Sequence, residues 1–176
     1  MDDTPIKIWR LAERSFVEFQ ITEQEKTRSA QPIPKDGTTW FPPPRGMLKV
    51  NVDASFNKTS KKAAVAAISS SASSAKAFAI RFGMTFAIKN GLSNVIFESD
   101  CLDVVNRIKS KIFSAWESAS IEEDILNILL SYQSFSLVYA SRICNGPAYW
   151  VAKGTLVECC PCDWATFVPQ DLKLLL

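Results

Sequence analysis

Leu48-Lys49-Val50-Asn51-Val52-Asp53 and Asn94-Val95-Ile96-Phe97-Glu98-Ser99-Asp100 are two apolar stretches that each end on an aspartate. In the first, Leu48, Val50 and Val52 alternate with Lys49, Asn51 and Asp53, the period of two expected of a half-buried strand. The second is apolar and β-branched enough for a central strand. A carboxylate at the end of a buried strand is costly to desolvate unless it meets a cation. Two of them point to a divalent metal site, with Asp53 and Asp100 as candidate ligands and candidate catalytic residues. The competing reading of the same pair is an ordinary strand-end carboxylate and a helix N-cap.

Working outward from these strands, Ala75 to Asn90 reads as a helix, with Ser73 or Ser74 as N-cap and Gly91 as its stop. At about 100° per residue, Arg81, Thr85 and Lys89 form a polar stripe opposite Ala79, Gly83, Phe86 and Ala87. Lys76 falls on the packed side, where an ammonium needs a carboxylate beside it. A helix over Cys101 to Lys109 is expected to bury Leu102, Val105 and Ile108, and one over Ile121 to Leu130 to bury Ile121, Ile125, Ile128 and Leu129. Phe135 to Tyr139 reads as a strand and Ala148 to Thr155 as a closing helix. Ala63 to Ile68 is a weaker strand candidate, because alanine is a poor strand former and serines end the run. Strands first, then alternating helix and strand, indicate an α/β layered domain.

The remainder divides by composition. Residues 1–30 carry a helical stripe of Trp9, Ala12, Phe16 and Phe19 and read as a helical arm. Residues 31–46, with Pro32, Pro34 and Pro42-Pro43-Pro44, read as a proline-rich linker. The globular domain is expected over 47–157, and 158–176 forms a C-terminal tail.

At 176 residues and 47% hydrophobic content the chain can build one real core, and a net charge of +2 neither demands nor excludes a nucleic-acid partner. The opening Met1-Asp2-Asp3-Thr4-Pro5 lacks the basic and apolar regions of a secretory signal, and no run is long enough to span a bilayer. The expectation is an intracellular protein without a membrane partner, with nucleus or cytoplasm left open. Five cysteines are an odd count that argues for reduced thiols, and Cys101 and Cys144 read as small core residues. Cys159-Cys160-Pro161-Cys162 invites a zinc reading, but no histidine completes a standard spacing, and free thiols are favoured. The chain has no histidine at all, which removes Ser-His-Asp and Cys-His nucleophile pairs.

The series Trp40-Phe41-Pro42-Pro43-Pro44-Arg45-Gly46, Leu48 to Ala54, Gly91 to Asp100 and Val104-Val105, followed by Arg142-Ile143-Cys144-Asn145, Ala148 and Val151-Ala152-Lys153, resembles the ribonuclease H-like domain of plant non-LTR retroelements, where it follows a reverse transcriptase. The resemblance implies a mixed sheet flanked by helices. It also implies Mg²⁺-dependent hydrolysis of the RNA strand of an RNA–DNA hybrid, in which carboxylates hold two metal ions that activate water and stabilise the leaving oxygen. Asp53 and Asp100 match two of the four acidic positions of that cluster. Lys76 and Tyr149 stand at the other two. Exchanging a carboxylate for an ammonium changes the local charge by two units, each unit pair at about 5 Å being worth roughly 3 kcal/mol at an effective dielectric of 20. The exchange opposes metal binding.

The short interval between Asp53 and Lys76 implies a truncated second and third strand. The family's late-loop histidine is absent too. Lys58, Lys61 and Lys62 follow the first strand where relatives approach nucleic acid, and are candidates for weak phosphate binding. Three functions therefore stand side by side: an RNA–DNA hybrid ribonuclease by family, a non-catalytic RNA- or DNA-binding module, and an inert retroelement remnant. A lysine paired with Asp53 or Asp100 in place of Mg²⁺ separates the first from the others.

Overall fold

The computed structural model describes residues 43–54, 56–57, 62–63, 71–113, 116–156 and 170. All but Gln170 belong to a unit that runs from Ile33 to Cys159. The helical arm, most of the proline-rich linker, Lys58, Lys61 and the cysteine cluster lie outside the described residues.

Three strands, β1 (Leu48–Val52), β4 (Val95–Ser99) and β5 (Phe135–Tyr139), form a parallel sheet in the order β1-β4-β5. Two shorter strands, β2 (Phe56–Asn57) and β3 (Lys62–Ala63), pair antiparallel in a separate sheet. Among the described residues, the antiparallel part expected of a mixed sheet is this two-residue ladder. Of the strand expected over Ala63 to Ile68, only Ala63 falls among the described residues.

Parallel strands need crossovers, and here helices supply them. α1 (Ala72–Lys89) joins the hairpin region to β4, while α2 (Leu102–Ser110) and α3 (Trp116–Ser131) join β4 to β5. α4 (Gly146–Leu156) follows β5. α1 lies on β1 and β4, α3 packs on α1 and α2, and α4 packs against β1. The core between them is made of Val52, Ile80, Met84, Phe97, Val105 and Leu137 with their neighbours. Phe97 meets Phe135 edge to face at 5.3 Å between ring centres. α1 sits low on the sheet because Gly83 faces Val52: a Cβ added there would come within 2.8 Å of Val52 Cγ1. Among the described residues no helix is long and apolar enough to cross a membrane.

Three details depart from the sequence reading. α1 begins earlier than Ala75, and its N-cap is Ser71, whose extended backbone lets Oγ accept from Ser74 N at 3.2 Å. In α2, Val105 and Ile108 are buried as expected, but Leu102 is 47% exposed and Val104 is the third buried residue. Helical side chains lean toward the N-terminus, so a residue in the first turn projects past the helix end rather than onto it. α3 starts at Trp116, ahead of the apolar stripe, and in this added turn the buried Ser118 donates through Oγ to Glu122 at 2.7 Å, the carboxylate being itself fully buried against the Arg107 guanidinium, as close as 2.7 Å.

Candidate site at the carboxyl edge of the parallel sheet

The register of β1 on β4 sets Val52 opposite Ser99. One residue further, where both strands end, come Asp53 and Asp100. Neighbouring strands lie about 4.8 Å apart, so this register alone brings the two carboxylates together. The same end of the sheet receives the start of α1 and the turn after β5. Carboxyl ends of parallel strands are where open α/β sheets present their sites.

Lys76 enters this space from the second turn of α1. Its Nζ donates to Asp53 Oδ1, and to Asp100 Oδ1 at 2.5 Å. All three side chains are withdrawn from solvent, with exposures of 13% for Lys76, 1% for Asp53 and 3% for Asp100. Asp53 Oδ1 also accepts from Ala54 N at 2.7 Å. Arg142, in the turn before α4, donates through Nε to Asp100 Oδ2 at 3.2 Å. Asp100 is therefore not the N-cap of α2; that place belongs to Cys101, which makes no side-chain capping bond.

A buried asparagine holds the last wall in place. Asn145 Nδ2 donates to Val52 O at 3.1 Å, and its Oδ1 accepts from Asn51 Nδ2 at 3.0 Å. Asn51 donates further to Glu98 Oε2 at 2.8 Å, and Glu98 pairs with Lys49 at 2.8 Å. This chain of bonds ties the start of α4 to the end of β1, which is what brings Arg142 to Asp100. Tyr149, one turn into α4, does not reach the carboxylates through a hydrogen bond. Its ring lies under the Arg142 guanidinium at 5.3 Å, with Lys153 Nζ at 5.8 Å from the same ring.

Asp53, Lys76, Asp100 and the Tyr149 turn thus come together at one edge. Lys62 is the first residue of β3, and nothing of its side chain is described. The Asn51–Asn145 and Arg142–Asp100 links have no local sequence signal beyond the residues' presence in the motif, since each joins positions more than forty residues apart.

Charge settles what this pocket can hold. Burial pulls the Lys76 ammonium toward release of its proton, but the hydrogen bonds it donates to Asp100 and Asp53 outweigh it and hold its pKa above the ordinary lysine value of 10.5. Burial pushes the Asp53 carboxyl above its ordinary 3.8, against the pull of Lys76. Of the carboxylate oxygens, Lys76 occupies Oδ1 of both acids and Arg142 occupies Asp100 Oδ2. Asp53 Oδ2 is buried and has no hydrogen-bond partner among the described residues. One open oxygen, shut from solvent beside an ammonium, does not fit a hydrated Mg²⁺, let alone a pair of them. Among the described residues no three acidic or cysteine side chains converge as a metal group.

The raised lysine gives a pH signature. A folded chain that binds this proton more tightly than the unfolded one has the pair's full contribution below pH 10.5 and loses it as the pH rises through the higher folded value. Thermal unfolding midpoints followed into this alkaline range should fall more steeply for the wild type than for Lys76→Met. Parallel curves would mean that the pair carries no linked proton.

The reverse transcriptase-like family model matches residues 51–155, more than half of the chain and the whole of this site. No curated protein and no solved structure matches the chain.

Proposed function

We propose that this chain, which belongs to the reverse transcriptase-like family and carries its ribonuclease H-like domain, is a nucleic-acid-binding module that takes RNA–DNA hybrid and does not cleave it. The observation that carries this reading is the Lys76 ammonium seated between Asp53 and Asp100. Hydrolysis by two metal ions needs carboxylate oxygens free to hold both ions at the attacking and leaving oxygens. An ammonium has no vacant orbital with which to lower the pKa of water. It can pair with the two acids, Arg142 supplying the second positive charge, and preserve the shape of the edge, and that is all this role requires. Asp53 and Asp100 then stand as former ligands whose present work is structural, with Tyr149 at the remaining acidic position.

Origin from a plant retroelement belongs to the same proposal. It is supported by the order of motifs from Trp40 to Lys153.

Fluorescence anisotropy with a short labelled RNA–DNA hybrid, and a cleavage assay on the same hybrid with Mg²⁺, test the reading together. Salt-sensitive binding without product is the expected result, because phosphate contacts release counterions. Hybrid cleavage by the unmodified protein would defeat the proposal. A chain with neither affinity nor cleavage would instead be an inert remnant of its family.

A further inference from the structure

We propose that Arg142 and Lys153, gathered over the ring of Tyr149, form a metal-independent seat for the backbone phosphate of a nucleic-acid strand. The inference rests on the nucleic-acid reading above and names the side chains that would make the contact.

In a carboxylate-lined site, a phosphate can approach only after metal ions have reversed the negative charge. Here the balance is already reversed. Lys76, Arg142 and Lys153 are three cations against the two carboxylates of Asp53 and Asp100. Lys76 is enclosed and committed to the two acids. Arg142 is different: its side chain is 69% exposed, and the hydrogen bond to Asp100 uses Nε, on the inner side of the guanidinium. The terminal nitrogens have no hydrogen-bond partner among the described residues, and a guanidinium offers the donor fork that matches a phosphate.

Tyr149 supplies the second half of the seat. It stands where the resemblance expects a carboxylate, and its ring faces the Arg142 guanidinium at 5.3 Å and the Lys153 ammonium at 5.8 Å. Tyr149 and Lys153 are four residues apart on α4, hence on the same face of the helix. A π face within about 6 Å holds a cation without neutralising it. An aspartate at this position would have paired with one of the two cations, whereas the phenol gathers both and leaves their charge available. The same substitution that removes a metal ligand thus gives the edge a positive clasp.

The test measures binding of a short fluorescein-labelled RNA–DNA hybrid in EDTA across a range of salt concentrations. Wild-type affinity should be unchanged by replacing Mg²⁺ with EDTA at constant ionic strength. Arg142→Ala/Lys153→Ala should bind about tenfold or more weakly and lose about one from the slope of log K against log salt, the share of a single phosphate. Lys153→Ala alone, which disturbs no buried group, should show about half of that slope change. Lys109→Ala, at the far end of α2, should bind as the wild type does. Equal binding by the wild type and the double variant would overturn the seat while leaving hybrid binding intact. Loss of wild-type binding on chelation would overturn its metal independence. Absence of wild-type binding under all conditions would instead overturn the nucleic-acid reading on which the seat depends.

Discussion

Lys76→Met is expected to destabilise the fold by about 3–5 kcal/mol, the range for removing one partner of a buried ion pair and leaving the other charge behind. Two carboxylates would be left here, adjacent and almost wholly enclosed. Methionine keeps most of the aliphatic stem, so the loss reports the ammonium rather than packing. In urea the unfolding midpoint should drop with an unchanged slope. Acid separates this cause from a packing defect. The wild-type Asp53 pKa is already raised by burial, with Asp100 pushing the same way and Lys76 opposing. Without Lys76 it must rise further. A folded state that binds this proton more tightly than the unfolded one gains stability as the pH falls from the folded value toward 3.8. The deficit of the variant should therefore shrink in acid. A loss under about 1 kcal/mol would place the triad among exposed ion pairs, which contribute that little, and would contradict the burial on which the site reading rests.

How much of this was legible in the chain depends on the distance over which each residue acts. β5 carries its period in five consecutive residues, and the expected span Phe135 to Tyr139 coincides with the strand. Lys76 was marked by a helical phase that put a charge on a packed face, and the need for a carboxylate partner followed from desolvation alone. Asp53 and Asp100 were marked by ending apolar strands. That they are neighbours follows from the β1–β4 register, which strand patterns taken singly do not contain. Non-local links stayed hidden. The burial of Glu122 is tolerable only because Arg107 comes from another helix and Ser118 Oγ donates to it at 2.7 Å. Ser71 does not stand out as a cap because Ser73 and Ser74 compete with it in the same serine run. The choice rests on which of them adopts an extended backbone before α1, a property of the whole turn. Likewise Arg142 and Tyr149 belong to a recognisable motif, yet their stacking depends on Asn145 reaching back to β1.

The reciprocal substitution, Lys76→Glu with Tyr149→Asp, should turn Mg²⁺ from a bystander into a stabilising ligand. Thermal unfolding of the wild type is expected to be the same with Mg²⁺ and with EDTA, because the oxygens that would hold the ion are engaged by Lys76 and Arg142. In the double variant, four carboxylates would converge on the edge with no lysine among them, and in EDTA their mutual repulsion should leave the fold weaker than that of Lys76→Met. Mg²⁺ should then restore stability by mass action, by about 2.7 kcal/mol when the ion is present at a hundred times its dissociation constant. The response should be selective for divalent ions over equal ionic strength of sodium, since screening alone lacks the geometry of coordination. This readout does not depend on turnover, so it separates two kinds of loss. Mg²⁺-dependent stabilisation accompanied by hybrid cleavage would mean that β1, β4 and α4 still hold their parts at catalytic spacing and that two side chains account for the silence of the site. Stabilisation without cleavage would place the remaining defect outside the carboxylate cluster, as in the short interval between Asp53 and Lys76 or in the absence of any histidine from the chain. If Mg²⁺ stabilised the wild type as much as the double variant, the lysine would not be excluding the ion, and the salt bridge could not be standing in its place.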